Sequence, residues 1–209
     1  MDSTLVIFDL DGTLVDSERL GGRALLELLP ELDEPLEELV VRYRGRRMHE
    51  TLGDIERRIE RSLGADFEAR FRDRMSELFV TDLQPMPGVP EMLDALALPR
   101  CIASNSPPDK IELALEVTEL GAHFGPGRFS AYGVGAWKPD PGLFLHAAAS
   151  MGFTPQQCIV VEDTPVGLAA AEAAGMRALH YVPEDDAAEA GGRFSHMREL
   201  PSLLEGMRR

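Results

Sequence analysis

"VIFDLDGTLVDSE", Val6 to Glu18, holds the reading on which the rest of the chain turns. Three apolar residues run into Asp9, and Asp11, Gly12 and Thr13 follow at once. The apolar run has the composition of a buried strand, and the residues after it have that of a tight loop, with Gly12 free to make a close turn. Two carboxylates one residue apart repel each other, so the pair implies a cation or phosphate held at a strand end. Alone, the string is also compatible with an Asx-turn. The apolar run before it argues against a calcium loop.

Working outward, short apolar runs recur at 100–105 ("RCIASN"), 129–134 ("FSAYGV"), 158–163 ("CIVVED") and 178–182 ("ALHYV"), besides 4–9. Helix-like stretches lie near 88–96, 107–119, 140–152 and 165–174, with a short one near 199–206. Strands alternating with helices predict an α/β fold with a parallel sheet in three layers, and strands apolar throughout predict a sheet covered on both faces. Residues 16–84 carry helical spacing, many charges and no convincing strand. In "ETLGDIERRIERSL", Leu52, Ile55, Ile59 and Leu63 share one face. They predict an all-helical cap inserted after the first strand; the alternative is that these helices complete one α/β layer. Pro85, Pro87 and Gly88 mark the return, dividing the chain into a core of 1–15 and 85–209 and a cap of 16–84. The acidic, Gly-rich "PEDDAAEAGGRF" reads as loop.

A chain of 209 residues with 44% hydrophobic composition can bury a sizeable core. A formal net charge of -15 argues against nucleic acid or an anionic membrane as the main partner. No run of about 18 apolar residues predicts a membrane span, and the N-terminus lacks the pattern of a signal peptide. The expectation is a cytoplasmic protein acting on a small molecule, most simply as a monomer. Cys101 and Cys158 each open an apolar run and read as buried strand residues, outside any disulfide or metal spacing. Only two lysines, Lys110 and Lys138, stand against 19 arginines, so the place of each is informative.

In parallel sheets, ligands bind beyond the carboxyl ends of the strands. After the second predicted strand come Ser104 and Asn105, then "SPPDK", where a proline can open a helix. These groups suit a phosphate cradle, and equally an ordinary N-cap. Lys138 follows the third strand in "GVGAWKPDP", readable as an inward-reaching cation or as solvated surface. Glu162, Asp163 and Thr164 follow the fourth, and Pro165 and Gly175 suit the two ends of the next helix. The acids could be helix caps or ligands of a hard metal. Jointly, the four clusters favour one site in which Mg²⁺ and the Lys138 ammonium keep Asp9, Asp11, Glu162 and Asp163 ionised.

"DLDGT", "SN", "KP" and "ED" before "GLAAAEAAGM", in this order, resemble the four motifs of the haloacid dehalogenase-like hydrolase superfamily. The resemblance spans the whole layout, including the helical insertion, and implies a Rossmann-like core. It implies that Asp9 is the nucleophile that becomes an aspartyl phosphate, and that Asp11 is the general acid and then the base. Asp9, Asp11 (through its backbone carbonyl), Glu162 and Asp163 would form the Mg²⁺ site. Gly12, Thr13, Ser104, Asn105 and Lys138 would bind the transferring phosphoryl group.

Within the superfamily the chain is most similar to the sugar-phosphate phosphatases and β-phosphoglucomutase. The mutases carry a histidine where this chain has Gly21, and a cap loop similar to "KGxSRxxSL" where it reads "RGRRMHETL", Arg44 to Leu52. Both departures favour hydrolysis by water, with a phosphosugar mutase as the alternative. The basic loop "RYRGRRMH" implies recognition of a second anionic group by Arg44 and Arg47, or else a charged face paired with nearby glutamates. With "WKPDP", it is similar to a 6-phosphogluconate phosphatase, which implies a phosphorylated sugar acid as substrate. The other classes are a phosphorylatable receiver domain and an idle binding protein on the same scaffold. The helical insertion opposes the first, and the intact acids, Ser104 and Lys138 oppose the second.

Overall fold

The computed structural model describes residues 4–44, 46, 48–183 and 192–207. The chain forms two compact units, 1–15 with 84–209, and 16–83. In chain order, β1 (Leu5–Phe8) is followed, among the described residues, by four helices of the second unit, α1 (Ser17–Leu28), α2 (Leu36–Tyr43), α3 (Met48–Arg58) and α4 (Phe67–Asp82). The first unit resumes with α5 (Val89–Ala95), β2 (Arg100–Ser104), α6 (Pro108–Val117), β3 (Arg128–Ser130), α7 (Ala131–Val134) and α8 (Gly142–Ser150). It closes with β4 (Cys158–Glu162), α9 (Pro165–Ala173), β5 (Arg177–Tyr181), β6 (Arg193–Phe194) and α10 (Leu200–Met207).

Among the described residues, six strands form one parallel sheet in the order β3-β2-β1-β4-β5-β6, a Rossmann-like arrangement. Every residue of β1 and β4 is buried, as a sheet covered on both faces requires. On one face Leu143, Phe144, Ala147 and Ala148 of α8 and Ala170 and Ala171 of α9 pack with Ile7, Cys101 and Val160. Each such large apolar side chain contributes about 1.5–3 kcal/mol on leaving water. The small residues of α9 account for its close seat on the sheet. Both cysteines are free and buried in this core.

The strand order fixes where a ligand can sit. β2 and β3 extend the sheet to one side of β1, and the chain then crosses to place β4 on the other side. Such a reversal opens a crevice at the carboxyl ends of the two central strands. Phe8 pairs with Val161, and the Asp9 amide donates to the Val161 carbonyl at 3.0 Å. The next residues, Asp9 just past β1 and Glu162 at the end of β4, therefore lie side by side.

Three expectations are corrected. The strand expected over 129–134 ends at Ser130, and 131–134 is helical. The Ser130 hydroxyl accepts from the Tyr132 amide at 3.2 Å, capping the turn, and Gly135 leaves it at φ 78°. Arg193–Phe194, read as loop, forms a two-residue strand on β5, while 184–191 of that stretch lie outside the described residues. The helix carrying Leu52, Ile55, Ile59 and Leu63 stops at Arg58. Glu60 takes a positive φ of 55°, and the Glu56 carboxylate accepts from Leu63 N at 2.9 Å and Ser62 Oγ at 3.0 Å. Ile55 and Leu63 are buried all the same.

In the helical unit α1 packs on α2 and α4. Glu27 accepts from Arg23 at 3.0 Å and from Arg74 at 2.5 Å, tying α1 to α4. Arg58 grips Glu34 through both guanidinium arms at 2.7 Å, and the Tyr43 hydroxyl donates to Asp54 at 3.0 Å. Among the described residues no helix is long and apolar enough to cross a membrane.

Candidate active site

The turn after β1 is closed by the Gly12 amide on Val15 O at 2.9 Å and the Leu14 amide on Leu10 O at 2.9 Å. Gly12 sits at φ 79°, and a Cβ there would stand 2.5 Å from Asp163 Oδ2. Glycine is thus required twice over, by the backbone and by the carboxylate packed against it. Thr13, wholly buried, donates its hydroxyl to Asp163 Oδ1 at 3.0 Å. The Asp163 carbonyl lies 3.2 Å from His180 Nε2 on β5.

Lys138 is the centre of the cluster. Its side chain is 3% exposed, and its Nζ lies 2.5 Å from Asp9 Oδ1 and 2.7 Å from Glu162 Oε1. The ammonium also stands 4.9 Å over the Phe144 ring. Its backbone is held by Asn105, whose Oδ1 accepts from Lys138 N at 2.9 Å and whose Nδ2 donates to Lys138 O at 3.4 Å. Glu162 is held at its other oxygen by Thr164, whose amide donates at 2.8 Å and hydroxyl at 2.9 Å. The Thr164 hydroxyl in turn accepts from Gly167 N at 3.1 Å, capping α9.

Burial drives the Asp9 carboxyl upward, to about 7; the Lys138 ammonium opposes the shift, and the Glu162 and Asp11 carboxylates add to it. The Lys138 ammonium is pushed above its ordinary range, because its two carboxylate partners outweigh the burial that would lower it.

Asp9, Glu162 and Asp163 each bring a carboxylate oxygen to within 4.8 Å of the others. Hard oxygen donors at this spacing suit a divalent cation such as Mg²⁺. The charges agree. Among the described residues, the four carboxylates of Asp9, Asp11, Glu162 and Asp163 and the two ammoniums of Lys138 and Lys110 sum to two negative charges when all are ionised.

Of the residues singled out in the sequence, the first unit brings together Asp9, Asp11, Gly12, Thr13, Ser104, Asn105, Lys138, Glu162 and Asp163. Ser104 ends β2 with its Oγ accepting from Ser106 N at 3.0 Å, which leaves its proton free to donate elsewhere. Arg44 belongs to the helical unit, half-buried just beyond α2, and Arg47 lies outside the described residues. Arg42 pairs with Glu34 at 3.4 Å, and Arg46 stacks over Tyr43.

Sequence reasoning passed over Ser106 and Lys110. Lys110 Nζ lies 2.8 Å from Asp11 Oδ1, and Ser106 Oγ donates to Asp11 Oδ2 at 2.6 Å. The scarcity of lysine was the available signal, since both lysines of the chain sit on site carboxylates.

The family model described as haloacid dehalogenase-like hydrolase matches residues 4–175. The chain is 30% identical over 205 residues to the 6-phosphogluconate phosphatase of Escherichia coli strain K12, covering 95% of this chain and 93% of that one. A haloacid dehalogenase-like protein of Agrobacterium tumefaciens strain C58 superposes with a TM-score of 0.89 at 32% identity, covering 99% of this chain and 100% of the other. A hydrolase of the same family from Deinococcus radiodurans R1, solved with bound phosphate and sodium, superposes with a TM-score of 0.84 at 29% identity, covering 98% of this chain and 96% of that chain.

Proposed function

The chain belongs to the haloacid dehalogenase-like hydrolase family and is a phosphoric monoester hydrolase, and from that premise we propose that it hydrolyses a small phosphorylated sugar or sugar acid with Mg²⁺ through an aspartyl phosphate on Asp9. The observation that carries this reading is Asp9 itself, a buried carboxylate at the switch point of the sheet, held at one oxygen by Lys138.

An oxygen of Asp9 attacks phosphorus while the bond to the ester oxygen breaks, and Asp11 gives that oxygen a proton. Asp11 then takes a proton from the water that attacks the aspartyl phosphate, releasing inorganic phosphate and restoring Asp9. Lys138 and the Ser104 hydroxyl oppose the charge that grows on the phosphoryl oxygens. Asn105 acts by holding the Lys138 backbone. Asp9 and Asp163, with Glu162 beside them, would hold Mg²⁺, which when bound neutralises charge on the transferring phosphoryl group. Glu162 already serves Lys138 and Thr164, so Asp9 and Asp163 are the principal ligands in this reading.

A phosphorylated sugar acid is the preferred substrate, in keeping with the Escherichia coli relative, and a cytoplasmic location would give access to it. Arg44 and Arg47 of the helical unit are the residues assigned to the substrate's second anionic group. The test is phosphate release from a panel of sugar phosphates and phosphorylated sugar acids, with Mg²⁺ and after chelation. Release that needs Mg²⁺ and vanishes in Asp9→Asn supports the reading. No release from any ester, or turnover indifferent to chelation, overturns it, and an isomerised phosphosugar in place of free phosphate would identify a mutase.

A further inference from the structure

One segment of chain supplies two partners of Asp11, Ser106 and Lys110. Ser106, in the turn after β2, is itself fixed twice: its amide donates to Ser104 Oγ at 3.0 Å, and its carbonyl accepts from Ser130 Oγ at 2.7 Å. Two residues on, Pro108 opens α6, and Lys110 lies in its first turn, from which the ammonium reaches back to Asp11. The clasp is therefore braced by the ends of both β2 and β3. Ordering a lysine costs up to about 2 kcal/mol of side-chain entropy, so a lysine spent here needs a return.

The two Asp11 oxygens face different chemistry. Oδ1 meets an ammonium, which can only donate, so Oδ1 cannot carry a proton toward it. Oδ2 meets a hydroxyl, which can donate or accept, so Oδ2 keeps that neighbour whether protonated or not.

We propose that Lys110 is a positioning residue for Asp11: by occupying Oδ1 it makes Oδ2 the oxygen that passes the proton, with the Ser106 hydroxyl holding Oδ2 in either state. The proposal rests on the phosphatase reading. As the bond from phosphorus to the ester oxygen breaks, its electron pair stays on that oxygen, which takes the proton from Oδ2. In the second half, the water oxygen bonds to phosphorus and a water proton passes to Oδ2. The bond from phosphorus to Asp9 breaks with its electron pair returning to the carboxylate.

The test compares two esters in the full chain with Mg²⁺. A sugar phosphate has an alkoxide leaving group that needs the proton, whereas the nitrophenolate of 4-nitrophenyl phosphate departs without one. In a reaction through a covalent intermediate, kcat/KM reports the steps up to its formation, where the acid acts. Positioned general acids contribute roughly 10²–10⁴-fold, and Lys110→Met is expected to shift the ratio of the two kcat/KM values against the sugar phosphate by about tenfold or more. Lys110→Arg, which keeps a donor-only cation, is expected to restore at least half of that shift on a logarithmic scale. An equal loss on both esters, or an unchanged ratio, overturns the proposal while leaving the phosphatase reading standing. A wild type that cleaves neither 4-nitrophenyl phosphate nor any ester of the sugar phosphate and sugar acid panel overturns both.

Discussion

Gly167 lies so close to Glu162 that a Cβ on it would stand 1.8 Å from Oε1 and 2.0 Å from Cδ. The same Oε1 accepts from Lys138 at 2.7 Å, so the absence of a side chain in the first turn of α9 is what lets Glu162 reach the lysine. A glycine of α9 thus controls the charge beside Asp9.

Gly167→Ala is the direct probe. In an ordinary helix the change would stabilise by about 1 kcal/mol through propensity. Here the new methyl meets a side chain that is 1% exposed and has nowhere to go. Overpacking costs roughly 1–3 kcal/mol, so the clash prevails. The melting temperature is expected to fall by a few degrees and kcat by about tenfold or more, because Glu162 is driven off Lys138. Melting curves and phosphate release decide the matter; a variant that melts higher and turns over normally would refute the assignment.

Lys138→Met should be severe in both respects. Two buried carboxylates, Asp9 and Glu162, lose the cation they share. Breaking a buried ion pair from one side costs about 3–5 kcal/mol, since the remaining charge has no compensation. Losing a fixed donor beside the transferring phosphoryl group costs about 10²–10³ in kcat. Urea unfolding and single-turnover phosphate release measure the two losses separately. Wild-type stability would show that the acids are compensated by other means.

The layout was legible because its signals are local. The apolar runs ending in Asp9, Ser104 and Glu162 mark strands whether or not their neighbours are known, and a parallel sheet places their ends at one edge. Register was not legible. Nothing between Val6 and Glu18 says that Phe8 will pair with Val161, the pairing that brings Asp9 beside Glu162. Ser130 looked like the interior of a strand because its apolar and aromatic neighbours favour extension. Its hydroxyl caps a helical turn instead, and its proton goes to Ser106 O, 24 residues away in sequence. Lys110 escaped for the same reason. It resembles any polar residue opening a helix until folding closes the 99 positions separating it from Asp11.

The two cysteines test burial by a route independent of activity. Burial pushes the Cys158 thiol up to about 11, and raises Cys101 further above the ordinary thiol range. Only the thiolate reacts, and at pH 8 a thiol of pKa 11 is ionised about one part in a thousand. The sign is fixed: labelling of Cys158 should accelerate about tenfold per pH unit up to about 11, whereas an ordinary thiol levels off near 9. Neither thiol should react with a disulfide reagent within minutes at pH 8 in the folded chain, and both should in denaturant. One fast equivalent in the folded protein would contradict the packing described.

The last prediction concerns the metal. Asp163 is wedged between Thr13, which donates to it at 3.0 Å, and Gly12, which cannot carry a side chain beside it. A carboxylate held so tightly near Asp9 and Glu162 is a strain on the metal-free protein and a ready ligand for a cation. Mg²⁺ at about 100 times its dissociation constant would stabilise the fold by about 2.7 kcal/mol. For a chain of this size that raises the melting temperature by about 5–10 °C. Asp163→Asn keeps the shape and removes one of the like charges. Without metal the variant should therefore melt no lower than the wild type, because repulsion within the cluster is relieved. With Mg²⁺ it should gain little, because a principal ligand is gone. Thermal melts of both proteins in chelator, in Mg²⁺ and in sodium chloride of equal ionic strength separate binding from screening. A variant that gains as much from Mg²⁺ as the wild type would place the cation elsewhere.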